Sequence, residues 1–188
     1  MTVLLVILLV LVAGVYMIYA GLITKRNKAQ EALSGIDVQL TKRHDLIPNI
    51  LTIAKRFMEH EKELLEGITA LRQQAVEINA KASADEATRA FEIEKQLQSK
   101  MGQFMVQVEA YPELKSDTQM LEAQRAYTEV EANIAASRRF YNSAVGDLKN
   151  AVEIFPSSMI AGMINITTMP FFEADEAARA PVNAADHL

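Results

Sequence analysis

The apolar and polar positions divide the chain into an uncharged start, a long amphipathic middle and an uncharged segment near the end. Residues 3–23 contain no charged side chain, and three basic residues follow within the next five positions. A helix of that length rises about 1.5 Å per residue and covers the roughly 30 Å hydrocarbon core of a bilayer. We therefore predict a transmembrane anchor over residues 1–24. Its marker positions, including the basic residues that follow it, are Val3, Leu9, Gly14, Gly21, Ile23, Lys25, Arg26 and Lys28.

The charge next to the anchor predicts its orientation. The basic residues lie only on its C-terminal side, so the positive-inside rule places the N-terminus outside and the rest of the chain in the cytoplasm. A cleaved signal peptide is the alternative. Against it, the chain begins without a basic segment, and residues 19–21 form a poor cleavage site.

The middle of the chain, residues 25–153, has apolar residues at repeated spacings of three and four. This pattern is typical of long amphipathic helices and contains essentially no strand signal. Helices joined by short connections pack most simply as antiparallel neighbours. We predict an all-α fold, in which the single anchor is followed by an antiparallel up-and-down four-helix bundle with long helices.

The boundaries of the first two helices depend on one proline. The first helix is predicted over residues 27–43, and Asp45 can cap a second helix that has Pro48 in its first turn, where a missing N–H costs little. The competing interpretation is one continuous helix, in which an interior proline costs about 3 kcal/mol unless it is compensated. A second helix starting at Asp45 is longer than the first helix outside the membrane. If it runs back antiparallel to the first helix, it reaches the bilayer. It must therefore break near Asn79, or the first helix must bend at residues 24–27.

Two later helices complete the predicted bundle. The third begins at Ser83 or Asp85 and ends at the Tyr111–Pro112 pair, because the residue before a proline disfavours helix. The fourth begins at Ser116, which has the capping-box spacing to Gln119.

The remaining residues, 154–188, begin with an uncharged tail. Residues 154–172 carry no charge, but the 13 residues between Pro156 and Pro170 are too few to span a bilayer. The tail must therefore cover apolar surface on the bundle or a neighbouring subunit, or lie at the membrane interface. The residues expected to make this contact are Met159, Ile160, Met163, Ile164, Phe171 and Phe172. From Glu173 onward the chain is acidic and rich in alanine, and we expect this C-terminus to be mobile.

Charge and composition restrict the classes of partner that we expect. The net charge is −5 and no basic stripe is interleaved with aromatic residues, so we expect no nucleic-acid partner. The absence of cysteine excludes thiol chemistry. Small residues at 13–14 recur at 20–21 and form a face that lets membrane helices approach closely. We expect membrane lipids, copies of the same chain, and unidentified membrane or cytoplasmic proteins as partners.

Motifs for catalysis or cofactor binding are incomplete. The pair His60–Glu61 starts like a zinc-protease motif, but Leu64 stands where the second histidine is needed. There is no Glu-x-x-His pair for a di-iron site and no phosphate-binding loop. We predict no catalytic residues, no metal and no cofactor. The alternative is an enzyme or metal-binding protein whose site is assembled in three dimensions around His44, Asp45 and Arg138.

Several blocks along the chain resemble the LemA family of bacterial membrane proteins. They follow an N-terminal anchor and comprise residues 36–40 (IDVQL), 43–49 (RHDLIPN), 60–61 (HE), 137–142 (SRRFYN), 155–156 (FP) and 170–174 (PFFEA). The resemblance covers nearly the whole chain. It implies a cytoplasmic helical bundle on a single anchor in the bacterial inner membrane, with the N-terminus outside. One departure is that residues 145–150 lack a tyrosine–asparagine pair that is common in similar sequences.

The resemblance implies no catalytic reaction. It places the positions where function is expected in two groups, at a turn far from the membrane and on the last helix. These candidate interaction residues are Arg43, His44, Asp45, Pro48, Asn49, Arg138, Tyr141 and Asn142. Our leading hypothesis is a membrane-anchored scaffold or adaptor that binds other proteins and assembles with copies of itself.

Overall fold

The described part of the structure is entirely helical. It is a computed structural model that describes residues 1–78, 80 and 83–172. Over these residues the chain forms six helices and no strand, which confirms the predicted all-helical fold class. The helices are α1 (Thr2–Ala54), α2 (Lys62–Glu77), α3 (Ala84–Val108), α4 (Pro112–Ser116), α5 (Thr118–Glu153) and α6 (Ser157–Met163).

Helix α1 joins the predicted anchor to the rest of the protein without a break. It contains 53 residues and is therefore about 80 Å long. Its first part is apolar and exposed, and it is long and apolar enough to cross a membrane. The last part of the predicted anchor is different, because Leu22 is buried among residues of other helices. The chain thus enters the domain as a continuing helix.

The predicted helix start at Asp45 is wrong, because α1 passes through this position and contains Pro48 in its interior. Proline has no N–H, so the carbonyl of His44, four residues earlier, loses its usual helical donor. Arg72 of α2 replaces that donor, with its Nε donating to the His44 carbonyl at 2.8 Å. The competing prediction of one continuous helix is correct, and a contact from another helix compensates the proline.

Because α1 is continuous, the predicted first helix is longer than expected and the predicted second helix is shorter. The chain turns after Ala54, and α2 then has only 16 residues. The buried apolar positions from Ile47 to Ala75 therefore lie partly on the end of α1 and partly on α2, and not on one long second helix. The break predicted near Asn79 falls on a residue outside the described part of the chain, but α2 already ends at Glu77.

The helix starts in the second half of the chain follow side-chain caps. Ser83 caps α3, its hydroxyl accepting from the Glu86 N–H at 3.1 Å, as predicted. The predicted cap at Ser116 is wrong. Asp117 caps α5 by accepting from the Met120 N–H at 2.9 Å, because Ser116 is the last residue of the short helix α4. The predicted end of the third helix at Tyr111 is slightly late, since α3 ends at Val108.

The core consists of two apolar clusters. The distal cluster joins the end of α1 to α2, α3, α4 and the start of α5: Ile47, Ile50, Leu51, Ala54, Met58, Leu65, Ile68, Ala75, Leu97, Met101, Phe104, Val108, Leu114, Met120 and Tyr127. The proximal cluster joins the middle of α1 to the start of α3, the end of α5 and the tail: Leu22, Ala29, Ala32, Leu33, Ile36, Ala87, Phe91, Tyr141, Ala144, Val145, Leu148, Ala161, Ile166 and Phe172. Residues of α1 belong to both clusters, so α1 runs through the whole core.

The contact between Arg72 and the proline-freed carbonyl predicts a specific energetic coupling. In the native chain, Arg72→Ala leaves the His44 carbonyl without this donor and should lower the free energy of unfolding by about 1–2 kcal/mol. In a Pro48→Ala background the helix supplies its own donor, so Arg72→Ala should cost clearly less. A double-mutant cycle measured by urea unfolding in detergent gives the coupling. Equal costs of Arg72→Ala in both backgrounds would contradict this account.

Candidate functional site: a buried charged layer and a tail clamp

A buried charged group separates the two apolar clusters. It consists of Arg43 and His44 from α1, Glu94 from α3 and Glu131 from α5. The side chains of Arg43 and Glu94 are 0% and 3% exposed. Charged side chains this deeply buried are rare unless they are paired. We call these four residues the polar layer.

Arg43 is the centre of the polar layer. Its Nη1 donates to Oε1 of Glu131 at 2.9 Å. Its Nη2 donates to the Oε2 carboxylate oxygen of Glu94 and, at 3.5 Å, to the backbone carbonyl of the same residue. The planar guanidinium suits this task because its donors point in fixed directions toward two acceptors. One side chain of α1 thereby connects α3 and α5.

His44 binds the second carboxylate oxygen of Glu94. Its Nε2 lies 2.8 Å from Oε1 of Glu94, the carboxylate oxygen that Arg43 does not bind. Successive residues of a helix point about 100° apart, so Arg43 and His44 approach the same carboxylate from different sides. The Glu94 carboxylate is therefore held at both oxygens.

These contacts keep the buried groups charged. Burial alone raises the pKa of Glu94, but the hydrogen bond from His44 and the positive charge of Arg43 outweigh it, so this pKa lies below its usual value. Burial alone lowers the pKa of Arg43, but the Glu94 and Glu131 carboxylates raise it above its usual value. Arg43 and Glu94 thus stabilise each other's ionised form.

Sequence reasoning identified Arg43 and His44 but missed both glutamates. Glu94 lies three residues after Phe91 and three before Leu97, on the apolar side of α3. A charge inside an apolar stripe needs a buried partner of opposite charge, and that signal was available. Glu131 gives a weaker signal, because it is half-buried at the edge of the stripe of α5.

The structure brings together only part of the alternative enzyme site: His44 and Asp45 line one cavity between α1, α2 and α3, and Arg138 does not line it. His44 is bound to Glu94, whereas Asp45 is exposed on α1, as are Pro48 and Asn49. Nη2 of Arg138 donates to Oε1 of Gln98 at 3.4 Å. Within the described ranges, no three His, Asp or Glu side chains are grouped so that they could hold a metal ion. The absence of catalysis nevertheless stays a prediction.

The pair His60–Glu61, which starts like a zinc-protease motif, has a structural role through its glutamate. Glu61 precedes α2 and accepts from Nε2 of Gln107 at 2.7 Å and from the Tyr111 hydroxyl at 3.2 Å. It thereby holds the start of α2 beside the end of α3. His60, its neighbour, is exposed.

A second group of motif residues holds the tail of the chain. The Tyr141 hydroxyl donates to the carbonyl of Pro170 at 2.7 Å. Asn142 binds Phe172 twice, because its Nδ2 donates to the Phe172 carbonyl and its Oδ1 accepts from the Phe172 N–H, each at 2.9 Å. The asparagine amide thus pairs with the backbone of Phe172 at both its donor and its acceptor.

The ring of Phe172 is buried in the proximal cluster. It stacks on Phe91 with ring centroids 4.1 Å apart and planes 9° apart, and the guanidinium carbon of Arg138 lies 4.2 Å from its centroid. Tyr141 packs edge-on against Phe91, with the centroids 5.8 Å apart. We call Arg138, Tyr141 and Asn142 the tail clamp. Three residues proposed for partner binding therefore bind the protein's own tail.

The remaining predicted contact residues have mixed surroundings. Ile160 and Ile164 pack against the proximal cluster, while Met159, Met163 and Phe171 are exposed. In the anchor, a Cβ atom built on Gly14 or Gly21 meets no neighbouring atom within 4 Å, so this small-residue face is open. Residues from Glu173 onward, including the predicted acidic end, lie outside the described part of the chain.

The family comparison covers both sites. A model of the LemA family matches residues 32–185. The chain belongs to the LemA family. The predicted family assignment is confirmed, and the matched range of this LemA protein includes the polar layer and the tail clamp. A comparison with curated proteins gives no match.

The polar layer of the LemA chain predicts a large and pH-dependent effect at Glu94. Glu94→Gln removes the charge that balances Arg43 in the core and should lower the free energy of unfolding at neutral pH by about 3–5 kcal/mol. Glu92→Gln is the matched control, because Glu92 is exposed on the same helix. Urea unfolding followed by circular dichroism measures both.

The pH dependence follows from the direction of the Glu94 pKa. The pKa is lower in the folded state than its ordinary value of 4.5, so the unfolded state binds the proton more readily. The contribution of Glu94 is therefore fully present above the unfolded pKa and is lost as the pH falls through the folded pKa. As the pH falls below 4.5, the native chain and the Glu92→Gln control should therefore lose more stability than Glu94→Gln. Parallel losses in all three would contradict the ionised pairing.

The tail clamp predicts that Asn142 controls release of the tail. Asn142→Ala removes both hydrogen bonds to Phe172 and should cost about 1–3 kcal/mol. Limited proteolysis should then cut the segment between α6 and Phe172 faster than in the native chain. Asn133→Ala is the matched control, since Asn133 is exposed on the same helix. Equal cleavage rates in the two variants would show that Asn142 does not hold the tail.

Proposed function

We propose that this LemA-family protein is a membrane-anchored helical scaffold that holds a binding surface at a defined distance from the bacterial inner membrane. The observation that carries the proposal is the continuity of α1. The same helix begins with exposed apolar residues, passes through the proximal cluster and ends in the distal cluster. A chain that merely tethered its domain would need no such stiff connection.

The core fixes the domain on this helix. Each cluster contains residues of α1, and Arg43 ties the same helix to α3 and α5 between the clusters. From Ile23 to Ala54 the helix advances about 47 Å. The far end of the domain therefore stands at a set height above the bilayer.

We further propose that the long helices form the antiparallel bundle expected from the sequence. Pairs of contacts support it: Lys28 lies 6.0 Å from the Phe140 ring centroid, while Arg43, later in α1, binds Glu131, earlier in α5. A residue before α2 likewise binds Gln107 near the end of α3. Both helix pairs thus meet in reversed chain order.

The membrane orientation in the proposal places the N-terminus outside and the domain in the cytoplasm. Its support is the position of Lys25, Arg26 and Lys28 directly after the apolar run, together with the positive-inside rule. The single-pass anchor also brings lipid and other membrane proteins within reach of the domain.

The proposed partners are proteins, including further copies of the chain. Asp45, Pro48 and Asn49 remain exposed on α1, unlike the neighbouring polar layer. Exposed apolar side chains also lie on several helices, namely Val38, Val76, Val106, Leu121 and Phe140. The open small-residue face at Gly14 and Gly21 is compatible with close approach of a second anchor.

The test is site-specific photo-crosslinking in intact cells. A photoreactive amino acid replaces Asn49, and the matched control carries it at Asn133, an exposed asparagine on α5. Recurrent products from position 49 that differ from those at position 133 would support a defined partner surface. Products of twice the chain mass would identify self-association. Monomer alone from both positions would contradict the scaffold proposal.

A single cysteine reports the orientation in the same membranes. The native chain has no cysteine, so Val106→Cys introduces one exposed thiol on α3. A membrane-impermeant maleimide should label it in inverted vesicles and leave it unlabelled in spheroplasts. Labelling in spheroplasts would overturn the cytoplasmic placement and leave the crosslinking result to stand separately.

A further inference from the structure

Helix α6 packs beside the anchor. Ile160, Met163 and Ile164 share an apolar groove with Val12 and Tyr19 of α1. The stretch from residue 12 to residue 19 is about 10 Å long and extends from the middle of the apolar run towards Lys25. When the run crosses a bilayer, α6 therefore stands at the level of the cytoplasmic leaflet.

The side chains of α6 divide into a covered and an uncovered face. Ala161 is completely buried in the proximal cluster. Met159 and Met163 are 64% and 82% exposed, and Phe155 just before the helix is also exposed. Large apolar residues with this exposure, next to an apolar anchor that is itself uncovered, continue one lipid-compatible surface.

The charges around α6 mark where this surface begins. Lys149 and Glu153 pair in the last turn of α5, and both side chains are exposed. After Glu153 no charged residue occurs until Glu173. The tail clamp returns the chain to the domain at Phe172. The uncharged segment thus runs along the proximal cluster, which buries Ala161 and Ile166, and carries no charge through the region beside the anchor.

The backbone at both ends of α6 is internally bonded. At its start, the Ser158 N–H and the Ser157 hydroxyl both donate to the Ile154 carbonyl, at 2.9 Å and 2.8 Å. At its end, Asn165 adopts a positive φ of 53°, and the Ile166 N–H donates to the Ala161 carbonyl at 3.0 Å. This is the usual left-handed helix ending. Such internal pairing is what a segment requires where lipid offers no hydrogen bonds.

We propose that α6 and its flanking residues 154–164 insert into the cytoplasmic leaflet beside the anchor and form a second lipid contact. The insertion is shallow, as in interfacial amphipathic helices, since the seven residues of α6 are too few to span a bilayer. The contact uses Met159, Met163 and Phe155. It depends on the anchor crossing the membrane and is independent of any protein partner.

The test places one fluorescent label on the uncovered face of α6 in the full chain. Because the chain lacks cysteine, Met163→Cys carries the only thiol. The labelled protein is reconstituted into phosphatidylethanolamine and phosphatidylglycerol vesicles whose acyl chains carry bromine. Val10→Cys in the anchor is the positive control and Val106→Cys on α3 is the negative control, because both native residues are exposed.

Brominated lipid should quench the label at position 163 to a degree comparable with position 10, and should leave position 106 unquenched. Quenching at position 163 by aqueous iodide alone would overturn the proposal. Disulfide formation between copies of the unlabelled Met163→Cys variant, insensitive to dilution with lipid, would also overturn it by showing that a second chain covers this face. Absence of lipid quenching at position 10 would refute the anchor itself, and with it the second contact.

Discussion

The bond between the Glu94 carboxylate and the two side chains of α1 constrains the rest of the structure. A buried carboxylate without a partner of opposite charge is strongly unfavourable. Arrangements of the helices that move Glu94 away from Arg43 and His44 are therefore disfavoured. Apolar side chains are more tolerant, because methyl groups of one cluster can repack against one another. The polar layer therefore sets the register of α1 against α3 and, through Glu131, against α5.

The same two residues of α1 also organise α2. The carbonyl of His44 is available to Arg72 only because Pro48 supplies no N–H. Within two neighbouring residues, α1 thus makes polar contacts to all of the other long helices, through the guanidinium, the imidazole and one carbonyl. The proline that would ordinarily weaken a helix creates the acceptor for a contact between helices.

Sequence patterns predicted the parts of this architecture that depend on local spacing. The uncharged run of residues 3–23 and the three- and four-residue apolar repeats identify an anchor and long helices without knowledge of contacts. The cap at Ser83 was also predictable, because its acceptor and donor lie three residues apart. Where two residues compete for one cap, as Ser116 and Asp117 do, local spacing does not decide between them.

The other features depend on residues that are distant along the chain. Arg72 lies 28 residues after the carbonyl that it binds, and Glu94 lies 51 residues after Arg43. No spacing rule connects such pairs. The tail clamp also could not be predicted from local spacing. Tyr141 and Asn142 are as well suited to an external partner as to residues 170–172, and only the folded structure shows that they bind the tail.

The continuity of α1 has a mechanical consequence. A transmembrane helix adjusts to the thickness of the surrounding bilayer by changing its tilt. Because α1 continues for about 47 Å beyond Ile23, a change in tilt of about 10° displaces its end at Ala54 sideways by about 8 Å. In the proposed membrane arrangement, the helix is a lever that converts a small change in the lipid around the anchor into a lateral movement of the far end of the domain.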